Sequence, residues 1–485
     1  MSLVEPVTVA KRSIEQLTPV IGGERLARLV QAADQFRREL GGRAVWNVSS
    51  TAAGGGVAEM LQVLLGYVED AGITSRWMVI TGDAEFFVIT KRLHNQIHGQ
   101  FAGGPLTADD VRHYEQMLAA NAAELLELIR PGDLVLLHDP QTAGLTESLK
   151  EAGALVAWRC HIGLDWENEA TAAAWNMLRR YLTHASGFVF SRREYVPAWI
   201  PDERVAIIPP SIDPFSPKNQ YLDEYTVRGI LTKIGVLDGS LPGRPVTYLG
   251  RDGTPGYITR SAEVTADRLP GPGDPLVVQV SRWDQLKDMP GVMHGFADYV
   301  APAGRGFLLL VGPAVAGVSD DPEGAAVFAD CLLQWRELPP AVRAKVLLVT
   351  LPLDDADENG AMVNALQRHA SVIAQKSLAE GFGLTVAEGM WKGRPVVGSA
   401  VGGIIDQIPP GAGVLLPDPR DLRSFGMTVR ELLDDPAVAT KMGAAAHAYI
   451  GQHYVGDVHL LRYERLFSSM IQEAGRRDAA NGTGG

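Results

Sequence analysis

Cysteine is scarce in this chain, and so are long apolar runs. Only two cysteines occur among the 485 residues, Cys160 and Cys331, and no CxxC spacing is present. A disulfide framework or a zinc site is therefore not indicated. No segment reaches the roughly 20 apolar residues of a membrane span, and residues 1–17 lack the apolar stretch of a signal peptide. We therefore expect a cytoplasmic protein.

Positive charge is also in short supply. Lysine and arginine total 44 against 57 acidic residues, so the formal net charge is −13 at pH 7. An acidic surface does not attract nucleic acid or an anionic membrane, although a local pair of cations can still hold one phosphate group. The composition therefore argues against a partner that is bound by bulk electrostatics.

Common nucleotide and hydrolase signatures are missing as well. Three successive glycines, Gly54, Gly55 and Gly56, stand between an apolar run and a helix-like stretch, where backbone amides can approach a phosphate. The run does not match GxGxxG and lacks the GK[ST] of a P-loop. No GxSxG is present, so the nucleophile elbow of α/β-hydrolases is absent.

Glycine, by contrast, is abundant: it accounts for 52 of the 485 residues, which is above its usual share of about 7%. Many glycines end short apolar runs that alternate with amphipathic stretches, which is typical of βα units in a parallel sheet. The first-half strand candidates lie at 44–48, 75–80, 133–138, 155–160, 187–190 and 205–208. The second-half candidates lie at 275–280, 306–311, 345–350, 372–374, 395–398 and 413–415. The pattern predicts an α/β protein with two Rossmann-like, doubly wound parallel-sheet domains.

The domain boundaries follow from composition. We expect an N-terminal domain over 1–215, with a helix at 455–475 packing back on it, and a C-terminal domain over 275–454. Residues 216–274, rich in glycine and proline apart from one helical piece, predict a hinge and an irregular insertion. Residues 476–485 are expected to be disordered.

The strongest local signal is SRWDQLKD at 281–288, directly after an apolar strand. Arg282 and Lys287 are five residues apart at the exit of that strand, where two cations can converge on one set of phosphate oxygens. Such a pair suits a diphosphate leaving group, whose negative charge grows as its bond to a sugar breaks. A solvated loop end is the plainer alternative.

The second signal is EGFGLTVAEGMWKGRPVV at 380–397. Glu380 and Glu388 are eight residues apart, and Gly381 and Gly383 open a helix that begins near Leu384. Free amides at the helix start can face an anion, while the carboxylates accept hydrogen bonds from sugar hydroxyls. An acidic pair near a helix start can also simply complement the helix dipole.

In the N-terminal half, two strand ends present polar side chains. His138, Asp139 and Gln141 follow one strand, and Arg159 and His161 end the next. A lone histidine in such a place is more often a structural hydrogen-bonding group. Two polar strand ends together make a binding cleft more plausible.

Two other readings of the acidic residues are weaker. The Asp-x-Asp within DDAD at 354–357 can bind a divalent metal, but a solvated acidic turn is the simpler interpretation. Glu380 and Glu388 can also be read as the acid and base of a glycosidase. The neighbouring phosphate-type cations have no part in hydrolysis, so transfer is favoured.

These motifs resemble a known family. SRWDQLKD followed by EGFGLTVAEGMWKGRPVVGSAVGG is similar to the donor-binding region of retaining GT-B glycosyltransferases of family four, whose Glu-x7-Glu motif Glu380 and Glu388 match. HDPQTAGL, WRCHIGLD, FSRREYVP, IPPSIDPFSPKN and VNALQRHASVIAQKS resemble the subgroup of trehalose glycosyltransferring synthases and trehalose phosphorylases. The resemblance runs from about residue 40 to 470, and Trp283 and Leu286 depart from its pattern. It implies a GT-B fold whose domains face a central cleft.

The resemblance also implies roles. The N-terminal domain would bind the acceptor and the C-terminal domain the nucleotide sugar. The implied catalytic residues are Arg282 and Lys287, on the donor diphosphate, and His161, beside the reaction centre. The implied donor-binding residues are Glu380, Gly381, Phe382, Gly383, Leu384, Glu388, Gly54, Gly55 and Gly56. The implied acceptor-binding residues are His138, Asp139, Gln141 and Arg159, and no metal is implied.

The function implied is glucosyl transfer from a nucleoside diphosphate glucose, UDP- or ADP-glucose, to glucose, giving trehalose with retention and requiring no cofactor. A trehalose phosphorylase that uses orthophosphate stays open, as does a transferase with another sugar or a cyclitol as acceptor. A non-catalytic sugar- or nucleotide-binding protein is the alternative from another class. The expected partners are the donor and acceptor alone, without nucleic acid or membrane, and a homodimer stays open.

Overall fold

The computed structural model describes residues 2–52, 56–101, 103–240, 243, 245–315 and 322–482. Contacts divide the chain into two units. The first runs to Ser211 and is joined by the residues from Val455 onward, and the second is Ile212–Tyr454.

The first unit is built on a seven-stranded sheet. Its strands lie in the order β1-β3-β2-β4-β5-β6-β7, and all neighbours are parallel except the edge pair β1 and β3. The strands are β1 (Val4–Pro6), β2 (Val45–Ser49), β3 (Ser75–Ile80), β4 (Leu134–His138), β5 (Leu155–Cys160), β6 (Gly187–Phe190) and β7 (Val205–Ile207). Parallel strands with helices between them bury both faces of the sheet, which explains their nearly continuous apolar sequence.

Helices alternate with these strands. They are α1 (Thr18–Leu40), α2 (Gly56–Asp70), α3 (Ala84–Ile97), α4 (Ala108–Leu128), α5 (Thr146–Glu151) and α6 (Glu169–Leu182). Polar side chains fix their starts: Thr107 and Asp110 form a reciprocal capping box at α4, and Asn168 and Thr171 form another at α6. Short 3₁₀ turns lie at Ile14–Leu17, Pro140–Leu145, Arg193–Tyr195 and Asp202–Arg204.

The second unit repeats the plan. Its main sheet has the order β10-β13-β12-β11-β14-β15-β16, parallel except for the edge pair β10 and β13, and β8 pairs with β9 in a separate hairpin. The strands are β8 (Thr247–Leu249), β9 (Pro255–Tyr257), β10 (Glu263–Thr265), β11 (Leu276–Val280), β12 (Phe307–Pro313), β13 (Val346–Leu351), β14 (Val372–Gln375), β15 (Val396–Ser399) and β16 (Val414–Leu416).

The helices of this unit are α7 (Glu224–Lys233), α8 (Met289–Tyr299), α9 (Pro322–Glu337), α10 (Pro340–Arg343), α11 (Ala356–His369), α12 (Leu384–Trp391), α13 (Ile404–Gln407), α14 (Leu422–Asp434) and α15 (Pro436–His453). Short 3₁₀ turns lie at Gln285–Lys287 and Ala301–Ala303. The last helix of the chain, α16 (Gly456–Gly482), belongs to the first unit, where Phe467 stacks on Phe36 of α1. Within the described residues no helix is long and apolar enough to cross a membrane.

The predicted α/β class with two parallel sheets is confirmed, and each predicted strand lies within two residues of an observed one. The structure differs in two segments. Residues 216–274, predicted as a hinge and irregular insertion, contain α7, the β8–β9 hairpin and the edge strand β10. The tail predicted as disordered at 476–485 continues α16 as far as Gly482, since arginine and alanine there favour a helix. Residues 483–485 lie outside the described part of the chain.

Candidate active site

The candidate donor site lies at the carboxyl ends of β11 and β14. The strand order of the second sheet reverses between these two neighbouring strands. From β11 the chain continues to β12 on one side of it, whereas β14 lies on its other side. Open α/β sheets bind ligands at such a point, since the loops diverge and leave a crevice. Segment 281–288 follows β11 and segment 376–383 follows β14. Strand order thus brings both predicted donor motifs to one edge.

Lys287 and Glu380 form an ion pair across this crevice. The Lys287 ammonium lies 2.5 Å from Oε2 of Glu380, and the two side chains are only 15% and 12% exposed. The Ser377 hydroxyl lies 3.4 Å from the same carboxylate oxygen. A cation that suits a phosphate and a carboxylate that suits a sugar hydroxyl therefore meet where water is largely excluded.

Arg282 stands in a different environment. Its side chain is 69% exposed and pairs with Asp284 at 2.9 Å. The next residue, Trp283, is buried, and its indole N–H donates to the carbonyl of Pro313 at 2.9 Å. Trp283 thus anchors the turn, while Arg282 reaches into solvent, where an ion pair contributes little. The two predicted phosphate-binding cations are not equivalent in this structure.

The predicted glycine turn precedes α12. Gly383 has a φ of 81°, and a Cβ at this position would lie 3.0 Å from Cγ of Glu380. Only glycine fits this turn without strain. The carbonyl of Gly381 accepts from the Gly403 amide at 3.0 Å, and that of Phe382 accepts from the Gln407 side chain at 2.5 Å. The loop after β15 therefore holds the turn in place.

Glu388 lies on α12, one turn beyond its start at Leu384. Its side chain is 6% exposed, and the ammonium of Lys218 lies 3.2 Å from its Oε1. Lys392 donates to the Asn219 side chain at 2.8 Å and to the Glu388 carbonyl at 3.2 Å. Burial lowers the pKa of Lys392 well below its usual value. Glu388 is thus a supported, nearly buried acceptor.

In the first unit, the histidines form a directed chain of hydrogen bonds. Nε of Arg159 donates to Nδ1 of His161 at 3.1 Å, because a guanidinium can only donate. The Nε2–H of His161 then donates to Nδ1 of His138, also at 3.1 Å. The Nε2–H of His138 in turn donates to the Asn47 side-chain oxygen at 3.1 Å. This assignment makes both imidazoles neutral.

Burial shapes the protonation of this group. It lowers the pKa of His138 to about 3 and that of His161 well below its usual value, and the nearby Arg159 charge adds to both effects. Burial raises the pKa of Asp139 to about 7, although the His161 amide donates to its carboxylate at 2.8 Å. Asp139 also has a left-handed φ of 64°. Strained, perturbed groups of this kind are common at functional sites.

The predicted acceptor residues divide into two layers. Asp139 and Gln141 are half-buried, whereas His138 is buried; His161, predicted as a catalytic residue, is also half-buried. Among the described residues, none hydrogen-bonds the buried side-chain oxygen of Gln141. Arg159, predicted to line the acceptor side, is fully buried instead. Besides His161 it binds Tyr463 and, at 3.1 Å, the carbonyl of Ile208. Its donors face inward, so it supports His161.

The remaining predicted residues are only partly described. Gly56 begins α2, whereas Gly54 and Gly55 lie outside the described residues. The acidic turn at 354–357 supplies a helix cap, since Asp355 accepts from two amides at the start of α11. No group of three or more potential metal ligands is found in the part of the chain that the structure describes.

Sequence reasoning missed four residues that join this chemistry. Asn47 ends the histidine chain from β2, and Tyr463 contacts Arg159 from α16. Asp288 and Lys376 form an ion pair beside Lys287. Two of them carried a signal in the sequence: Asn47 is a polar residue inside an apolar strand, and Lys376 directly follows another apolar strand.

The chain matches known proteins along nearly its full length. The family described as "Trehalose synthase, N-terminal domain" matches residues 47–197, and "Glycosyl transferases group 1" matches residues 357–449. The trehalose synthase of Pyrococcus horikoshii is 33% identical over 96% of this chain and 99% of its own length. The chain belongs to the trehalose synthase family. Membership makes it a hexosyltransferase.

Other matches are more distant. The trehalose synthase of Rubrobacter xylanophilus is 32% identical over 97% of this chain and 100% of its own. The trehalose phosphorylase of Grifola frondosa is 23% identical over 89% of this chain but 60% of its own. A UDP-forming α,α-trehalose-phosphate synthase structure from Burkholderia xenovorans has a TM-score of 0.64 at 15% identity, covering 89% of this chain and 99% of its own. This trehalose synthase family member therefore has the predicted GT-B fold.

Proposed function

We propose that this protein transfers glucose from a nucleoside diphosphate glucose to glucose and forms trehalose with retention at the anomeric carbon. The observation that carries this proposal is the Lys287–Glu380 ion pair, which lies where the strand order of the second sheet reverses, between β11 and β14. A cation for a diphosphate and an acceptor for sugar hydroxyls stand side by side there, as the phosphate–sugar linkage of a nucleotide sugar requires.

The roles that we propose for the individual residues are those that the family resemblance implies. Lys287, together with Arg282, would neutralise the leaving diphosphate, whose charge is greatest in the transition state. Glu380 and the amides of the turn at 381–384 would hold the donor sugar, and Glu388 would accept from the nucleotide ribose.

The chemistry needs no enzymic nucleophile. The bond from the anomeric carbon to the diphosphate oxygen breaks, and the acceptor hydroxyl oxygen bonds the same carbon on the same face. The acceptor proton passes to the departing phosphate oxygen, so atoms and charge balance. His161, neutral and fixed by His138 and Arg159, would orient a sugar hydroxyl, and Asp139 and Gln141 would contact the acceptor.

Relatives support a nucleotide donor over orthophosphate. The trehalose synthases match this chain end to end at 32–34% identity, whereas the trehalose phosphorylases match at 23–24% over 59–60% of their own length. A structural neighbour from Burkholderia xenovorans is described as UDP-forming, and one from E. coli as bound with UDP-2-fluoro glucose. Because the same cations can also hold orthophosphate, an activity assay has to distinguish the transferase from a phosphorylase.

The test runs the reaction in both directions. We expect trehalose with UDP or ADP to yield a sugar nucleotide, and UDP- or ADP-glucose with glucose to yield α,α-trehalose by NMR. Glucose 1-phosphate from trehalose and orthophosphate would instead indicate a phosphorylase. Product with a cyclitol or another sugar only would change the acceptor. Tight nucleotide binding without turnover across a broad donor and acceptor panel would indicate a binding protein.

A further inference from the structure

The turn that carries Lys287 is fastened to the segment that carries Glu380 at several points. The Leu378 amide donates to the carbonyl of Leu286 at 2.8 Å. Gln279, fully buried at the end of β11, donates to the Lys287 carbonyl at 2.7 Å and accepts from the Lys376 amide at 3.3 Å. These contacts join two loops about ninety residues apart in the chain.

The residue after Lys287 has an unusual backbone. Asp288 has a φ of 49°, one of two non-glycine residues with positive φ among those that the structure describes. A left-handed conformation is less favourable for a residue with a Cβ than for glycine. Its carboxylate also caps α8 by accepting from the Gly291 amide at 3.2 Å. Something must therefore hold Asp288 in place.

Lys376 supplies that hold. Its side chain is 0% exposed, and its ammonium pairs with the Asp288 carboxylate and donates to the Pro419 carbonyl at 2.7 Å. A lysine this buried is rare unless it is paired. Its charge faces Asp288, whose backbone sets the direction in which Lys287 leaves the turn.

We propose that Lys376 and Asp288 are positioning residues that aim the Lys287 ammonium at the donor diphosphate. The pair fixes the left-handed residue after Lys287, and Gln279 fixes the Lys287 carbonyl, so the side chain leaves a rigid backbone. A misplacement of about 1 Å at such a group can cost about a hundredfold in rate. This inference rests on the proposed function of Lys287.

The test is a set of variants in the full-length protein. Lys376→Met keeps the unbranched stem but removes the charge, and we expect at least a tenfold loss in kcat/KM for the nucleotide sugar. Adding Asp288→Gly to Lys376→Met removes the carboxylate that has lost its lysine partner. Glycine also adopts the left-handed φ of this position without strain. The double variant should regain activity to within about threefold of wild type.

A thermodynamic cycle separates positioning from stability. Once Lys287→Met has removed the ammonium, Lys376→Met should add less than threefold to the loss in kcat/KM. Binding of the nucleoside diphosphate should weaken in Lys376→Met, while binding of the bare nucleoside should not. The control Glu358→Gln weakens another partly buried ion pair, with Arg260, and should lower the melting temperature without changing donor KM.

The outcomes are distinct. Equal losses from Lys376→Met in the wild-type and Lys287→Met backgrounds, or no recovery in the double variant, would overturn the positioning role. Equal weakening of diphosphate and nucleoside binding would also overturn it. A wild-type protein that neither turns over nor binds any nucleoside diphosphate would instead refute the proposed function.

Discussion

Replacing Lys287 by methionine should separate a stability effect from a catalytic one. The substitution removes the ammonium and keeps the apolar stem, so packing changes little. It leaves Glu380, 12% exposed, without the cation that lies 2.5 Å from it. It also removes the cation that we assign to the donor diphosphate.

The structure sets the size of both effects. Two unit charges at 2.5 Å attract by roughly 7 kcal/mol at an effective dielectric constant of 20, before desolvation is subtracted. Removing one partner of such a pair is known to cost about 3 kcal/mol of stability. Removing a group that stabilises transition-state charge costs about 10²–10³ in kcat, or roughly 3–4 kcal/mol.

The assay compares three variants by melting temperature and by nucleotide release from the donor. Lys287→Met should lose both stability and transfer. Adding Glu380→Gln should restore most of the stability, since the carboxylate that lost its Lys287 countercharge is then removed, but it should not restore the transfer. Lys233→Met, which alters an exposed lysine at the end of α7, should change neither. If Lys287→Met keeps kcat/KM within threefold of wild type, or if the double variant regains transfer, our assignment is wrong.

Three further predictions concern single residues. The pKa of His138 is about 3 in the folded protein and about 6.5 in the unfolded chain, so protonation below about pH 6.5 favours the unfolded state. The free energy of unfolding should therefore fall as the pH drops below about 6.5, by roughly 2 kcal/mol at pH 5. Urea titrations across pH should show a shallower acid loss in His138→Gln, and an unchanged slope would contradict this. Gly383→Ala should lower stability by more than 1 kcal/mol and raise donor KM, whereas Gly411→Ala, at a similar φ of 84° with open space, should affect stability alone. Glu388→Gln should raise donor KM about tenfold with kcat nearly unchanged, as expected if it contributes uniform binding; a fall in kcat alone would refute its ribose role.

Much of the fold could be predicted from the sequence because its signals are local. Apolar runs ending in glycine or aspartate predicted the parallel strands, and the start of α12 at Leu384 followed from the glycines before it. The short edge strand β1 was missed because three residues carry too little pattern. Likewise, β10 lies in a segment whose glycines and prolines suggested irregular structure.

The candidate site was predictable only in part. Polar residues at strand ends were found, since the carboxyl ends of parallel strands share one edge. The sequence did not show which of these residues contact each other, because strand order is set by pairing between distant segments. Arg159 shows the consequence: its sequence context resembles a binding residue, but Tyr463, more than three hundred residues later, encloses it.

The sequence by itself determined the class of fold and the chemical types at the site: glycine turns, two cations and two carboxylates on an otherwise acidic chain. Only the tertiary structure decided which cation is desolvated. Lys287 meets Glu380, 93 residues away, in a crevice opened by the β11–β14 reversal, while Arg282 stays in water. The reason is that burial and charge pairing are made by residues distant in the chain, whereas propensity and periodicity report only on neighbours.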